Sequence, residues 1–232
     1  MSVYYPEEVQ GSKFILSQQA YNYGPNAKIL YADYLQPRQS CHVLFHASET
    51  PFGLSLFQGD VSKTSIQIRI PPGSPVLDQM QAIEEDLKKL LVKSPASLPV
   101  PMTMDTVNRL WIPSISNDMF GHSLRFSVKT NADGLLKALF LRRSMKEDGN
   151  TQTENLTGLS VEELQEVFGP KSIVWVLARV SGISVSKTSI QVKFSVVQLI
   201  RDDTVVHEIA VRDDSMYTQP LEEKYFLGQK GE

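Results

Sequence analysis

Hydrophobic and polar positions alternate most cleanly between Ile173 and Ile200. The first arm, Ile173 to Val180, is β-branched and aromatic with no helical period. A turn at Ser181-Gly182-Ile183-Ser184 leads into a second arm. There Ile190, Val192, Phe194 and Val196 share one face while Gln191, Lys193 and Ser195 share the other. Period-two alternation of this kind predicts a β-hairpin with one buried and one wet face. Trp175 and Arg179 project from the same side of the first arm. A tryptophan there is either core, as most strand tryptophans are, or a platform on which bases stack.

The hairpin has an earlier echo. Val61-Ser-Lys-Thr-Ser-Ile-Gln-Ile-Arg-Ile70 matches Val185-Ser-Lys-Thr-Ser-Ile-Gln-Val-Lys-Phe194 at seven identical positions. Two copies do not make a solenoid, and two strands with similar turn requirements account for the match.

The rest of the chain reads in order. Residues 1–38 hold six of the eight tyrosines, with Ala27–Leu35 as a strand or short helix. Such rings can stack on bases or cover a core edge. Ser40–His46 reads as a strand, and Glu49–Gly59 as a turn with a short strand. Pro71-Pro72-Gly73-Ser74-Pro75 stops the next strand and opens a helix, with Ser74 as cap and Pro75 in the first turn. Val76, Met80, Ile83, Leu87, Leu90 and Leu91 form its apolar stripe to about Val92. Ser94–Pro101 is a Pro-rich connection, a linker between halves or a surface crossing. Arg109–Pro113 reads as extended. Ser123–Lys129 alternates, with Leu124, Phe126 and Val128 inward and Arg125 and Lys129 outward. A turn at Asn131–Gly134 leads to a return strand, Leu135–Arg143, and Lys146–Thr157 is a polar, mobile loop. Ser160-Val-Glu-Glu163 is a capping box for a short helix, Val161–Phe168, ended by Gly169-Pro170. His207–Val211 adds an edge strand, and the tail beyond carries little that would pack.

Composition narrows the class. The chain has 232 residues, 41% hydrophobic and 21% charged, as expected of a folded globule. No apolar run approaches the roughly 18 residues that span a bilayer, so no membrane partner is expected. The lone Cys41 and an N-terminus without a basic, apolar leader predict an intracellular location. Net charge is −3, but residues 201–232 hold eight acids against four bases, so residues 1–200 carry nineteen bases and eighteen acids. Between Gly121 and Ile200 there are ten bases and seven acids, with Arg142, Arg143 and Lys146 close together. The reading is one domain with insertions over 1–211 and an acidic, flexible tail over 212–232.

Catalytic machinery is not legible. The phosphate-binding, dinucleotide, zincin and nucleophile-elbow motifs are absent from the sequence, and His42 and His46 have no companions for a metal site. No enzyme activity, cofactor or metal is expected.

Four features carry a resemblance: the Pro51-Phe52-Gly53 turn, the Lys63–Ile68 strand before an amphipathic helix, the alternating basic hairpin, and the Trp175 hairpin ending Val196-Val197-Gln198-Leu199. Over Cys41–Leu199 the chain resembles the single-stranded DNA-binding proteins of nucleocytoplasmic large DNA viruses, relatives of the phage proteins of that function. The resemblance implies a mainly β (α+β) chain with two helices, an elaborated OB-type barrel and a mobile acidic C-terminus. It implies that Trp175, Arg179, Lys187 and Lys193 face the DNA. Arg125, Lys129, Lys137, Arg142 and Arg143 would lie along its backbone. Arg142 and Arg143 are expected in an exposed setting, where charge reversal weakens binding and leaves the melting temperature nearly unchanged. The tail departs from the family pattern, ending Phe226–Glu232 rather than in an acidic run closed by an aromatic.

The expected partner is single-stranded DNA, with single-stranded RNA as the alternative, during genome replication, repair or recombination. For a viral chain the location would be the host cytoplasm or nucleus, at replication sites. Replication proteins could bind through the tail, and homo-oligomerisation is left open. The rival reading is a β-sandwich structural or interaction protein that binds no nucleic acid.

Overall fold

A computed structural model of the chain describes residues 2–118 and 121–205. The expected edge strand His207–Val211 and the tail 212–232 lie outside the described residues. In chain order the elements are β1 (Val3–Tyr4), β2 (Phe14–Leu16), β3 (Tyr21–Asn22), β4 (Ala27–Tyr34), β5 (His42–Glu49), β6 (Leu54–Phe57) and β7 (Asp60–Arg69). Helices α1 (Pro75–Val92) and α2 (Met104–Leu110) follow, then β8 (Ile115–Asp118), β9 (Gly121–Ser127), β10 (Leu139–Met145) and β11 (Thr151–Asn155). Helix α3 (Val161–Val167) precedes the long pair β12 (Ile173–Ser186) and β13 (Ile190–Asp202).

The described residues are mainly β with three α-helices, in an OB-like α+β arrangement. Its mixed sheet runs β1-β5-β12-β13-β9-β7-β6, with β4 also on β12 and β10 on β13. No ladder joins β6 back to β1, so among the described residues the sheet is not closed into a barrel. The β12–β13 hairpin is the axis of the sheet, with β5 and β4 on one flank and β9 and β10 on the other.

One core cluster runs from Val9 to Leu199 and draws on both sides of the Pro-rich connection. Val176, Ala178 and Val180 of β12 and Ile190, Val192, Phe194 and Val196 of β13 enter it, as alternation dictates. Helix α1 covers it with Met80, Ile83, Leu87 and Leu91, capped where Ser74 Oγ accepts the Val76 N–H. Glu84 is buried yet satisfied: it takes the indole N–H of Trp111 at 3.0 Å and the Ser114 N–H at 2.6 Å. Trp111 ends α2, a helix that sequence periodicity over seven residues is too short to show. Burial pushes the Cys41 thiol up to about 12.

Two glycines mark close approaches. At Gly53 (φ +68°) an added Cβ would lie 2.3 Å from the Phe168 carbonyl oxygen, which accepts the Leu54 N–H at 2.7 Å. The Pro51-Phe52-Gly53 turn is thus the seat of β6 on the end of α3. At Gly182 (φ +147°) a Cβ would lie 2.1 Å from the Leu30 carbonyl oxygen, so only glycine lets β4 pair with β12 there.

Candidate nucleic-acid interface

The face of the sheet opposite the core is divided in two. At one end it is apolar and covered: Leu44, Leu141, Trp175, Leu177 and Ile200 form a second cluster, with Val3 and Tyr5 packed on it. Trp175 is 5% exposed and donates its indole N–H to Asp202 at 3.0 Å. Its ring lies 5.6 Å from that of His46, which stacks on Tyr5 at 4.9 Å. The structure therefore takes Trp175 off the open face and into a core. In a Trp111→Phe variant, where Trp175 is the remaining tryptophan, its fluorescence should stay constant when poly-dT is added. Quenching would show that the cluster opens onto DNA.

At the other end the face is polar and partly open: Arg125 is exposed and Arg179, Ser127 and Ser55 are half-buried, while His42, Ser65 and Ser195 are buried. The ladders set His42, Arg179, Ser195, Ser127, Ser65 and Ser55 side by side across six strands. Ser181 and Ser195 share a hydrogen bond at 2.8 Å, and Arg125 Nε donates to Ser65 Oγ at 3.1 Å. Arg179 Nε and His42 Nδ1 are buried without a partner among the described residues. Burial first, then the Arg179 charge, lowers the His42 pKa, so the imidazole beside Arg179 is neutral near pH 7.

Next to this row lies an aromatic corner. Tyr31 of β4 pairs with Gly182, which pairs with Lys193. Tyr21 and Tyr31 hold their rings 5.2 Å apart and are 47% and 45% exposed. Tyr23 is approached by two ammonium groups, Lys129 Nζ at 5.5 Å and Lys193 Nζ at 5.9 Å from its ring centre. Lys193 also donates to Gln191 Oε1 at 2.6 Å. Burial, then the charge of Lys129, pulls its pKa down. An anion seated between the two lysines would relieve that repulsion.

The sequence-predicted cations fall into two groups. Arg125, Lys129 and Lys193 meet on or beside the open face with Arg179. Lys137 is exposed at the foot of the Lys129–Lys137 excursion, where its N–H bonds the Lys129 carbonyl at 2.7 Å. Lys187 is exposed in the Ser186–Ser189 turn. Among the described residues none of these six forms an ion pair. Arg142 and Arg143 differ: Arg142 Nε lies 2.6 Å from Asp203 and Arg143 Nη1 3.4 Å from Asp202. They sit level with Arg201 and Asp202 of β13, about 20 Å along that strand from Ser195. This corrects their reading as an exposed patch, because β13 ends in two aspartates that engage them.

Sequence reasoning missed Tyr21, Tyr23 and Tyr31 as a unit, since pairing of β3 with β4 is what gathers them. Their density in the first 38 residues was the available sign.

No protein-family model and no curated protein sequence matches this chain. Among solved structures, it is similar to the single-stranded DNA-binding protein from bacteriophage Enc34 in complex with ssDNA, at 12% identity and a TM-score of 0.42, over 78% of this chain and 93% of that one. A second structure of the Enc34 protein aligns at 10% identity and a TM-score of 0.41, over 90% and 97% of the two chains.

Proposed function

We propose that this chain binds single-stranded nucleic acid, DNA in the first instance, through the open end of the outer sheet face, and catalyses no reaction. The observation that carries the reading is the exposed Tyr21–Tyr31 pair beside Lys129 and Lys193, two cations with no carboxylate partner among the described residues. Rings offer sequence-tolerant stacking and unpaired cations take phosphates, which together are what a sequence-independent single-strand binder needs. Arg125, Arg179, Lys137 and Lys187 extend the basic surface around that corner. Trp175, Arg142 and Arg143 support the face rather than touch the strand.

The finer reading rests on sequence alone. In it the chain coats and protects single-stranded DNA during genome replication, repair or recombination of a large DNA virus, in the host cytoplasm or nucleus. Its acidic tail would compete with DNA for the basic face or recruit replication proteins.

Anisotropy titrations of labelled oligo-dT at several salt concentrations test the proposal. Five phosphate contacts would give a log–log slope of about −3.5. The same titration with oligo-U measures the preference for DNA over RNA. Absence of binding at low salt would overturn the reading and favour a structural or interaction role.

A further inference from the structure

The repeated decapeptide gains a meaning from the topology. Strand β9 is antiparallel to β7 and parallel to β13, so the two copies flank it and run in opposite directions. Their equivalent lysines, Lys63 and Lys187, consequently fall at opposite ends of the face. Lys187 follows Ser186, which pairs with Ala27 in the tyrosine-bearing corner. Lys63 stands at the far corner, on the β6–β7 hairpin, with its ammonium 5.6 Å from the ring centre of Phe57.

Phe57 is 55% exposed, so its ring is accessible beside the Lys63 ammonium. Its hairpin is well fixed: Gln58 and Gly59 form the turn at φ +55° and +73°. Asp60 accepts the Ser62 N–H at 2.9 Å and hydroxyl at 2.6 Å, and pairs with Lys63 at 3.1 Å. Between the two corners run Lys193, Arg125 and the serine row. From β4 to β6 through β12, β13, β9 and β7 are five inter-strand steps, about 24 Å across the sheet.

We infer that Phe57 with Lys63 is a second base-stacking station, and that one strand of nucleic acid crosses the face from the Tyr21–Tyr31 corner to it. The inference rests on the proposed single-strand binding. A strand too short to reach both corners occupies one station. A longer strand engages the second intramolecularly, and its affinity steps upward.

The test is the affinity of oligo-dT between about 4 and 20 nucleotides, measured on the full chain and on Phe57→Ala and Phe57→Leu. The wild type should show a step of roughly tenfold or more once the strand spans the face, as loss of one stacked base implies. Both variants should keep the affinity for short strands, lose the step, and melt at the wild-type temperature. Long-strand affinity equal to wild type in both variants would overturn the second station. So would an equal loss at every length. Failure of the wild type to bind any strand would instead remove the underlying reading.

Discussion

Reversing both arginines at the end of β10, Arg142→Glu with Arg143→Glu, should lower the melting temperature by roughly 6–12 °C, following a loss of about 3 kcal/mol. Asp202 is 2% exposed, and a buried carboxylate must keep its partners. It accepts from Trp175, from the Thr204 N–H at 3.0 Å and hydroxyl at 2.5 Å, and it faces Arg143. A glutamate in place of Arg143 removes the cation that pairs with Asp202 among the described residues and sets a like charge beside it. Asp203 is affected too. Burial pushes its carboxyl up, but hydrogen bonds from Arg201 and Arg142 win and hold it below the usual carboxylate range. A depressed carboxylate pKa contributes stability present above the unfolded pKa and lost as pH falls through the folded one. The variant should therefore give up part of the acid-dependent stability of the wild type. Oligonucleotide affinity, measured below the lowered transition, should change little. An unchanged melting temperature with weakened binding would return these arginines to the interface.

What the sequence made legible follows from where one force acts alone. The second arm of the β12–β13 hairpin, Ile190 to Val196, and α1 showed themselves because burial on a single face imposes a clean period. Strand β12 is instead buried on both faces and runs on to Ser186, so the turn read at Ser181–Ser184 lies at Ser186–Ser189. Ser74-Pro75 and Ser160–Glu163 are local caps whose chemistry is self-contained. Helix α2 hid because its anchor, Trp111 on Glu84, is 27 residues away. Strand β11 hid because all five of its residues are exposed, and Thr151-Gln-Thr-Glu-Asn155 carries no alternation to read. It pairs with β10 through the backbone ladder and one side-chain hydrogen bond, Gln152 Nε2 to Ser144 Oγ at 3.1 Å. The return strand begins at Leu139 rather than Leu135 because Asn131 Oδ1 takes the N–H groups of Asp133 and Leu135 and holds that stretch as a loop. In the site, alternation put Arg125 and Lys193 on the outer face, but it could not say what else occupied that face. The N-terminal segment covers Trp175 through packing between residues distant in sequence, and the tyrosines of β3 and β4 line the open corner through a short hairpin whose residues carry no clean alternation.

The open corner should separate charge from stacking in a single experiment. Lys129→Ala with Lys193→Ala removes two ammonium groups that have no ion-pair partner among the described residues, both within 6 Å of the Tyr23 ring centre. Each phosphate left without its cation makes the salt slope shallower by about 0.7 on a single strand, so the double variant's slope should flatten by about 1.4. Its affinity should fall most at low salt and converge on the wild type as salt rises, because screening already weakens the ammonium–phosphate attraction there. Tyr21→Ala with Tyr31→Ala acts on the other term. Loss of stacking costs about 1–3 kcal/mol per base, a loss of affinity of about 5- to 150-fold for each base freed. Stacking releases no counterions, so this loss should be the same at every salt concentration, with the slope unchanged. Both rings are nearly half exposed, and the variant should fold with the circular dichroism of the wild type. A slope unchanged by the lysine substitutions would place the phosphates elsewhere. Tyrosine variants that bind like wild type would leave this corner an electrostatic surface without a stacking role.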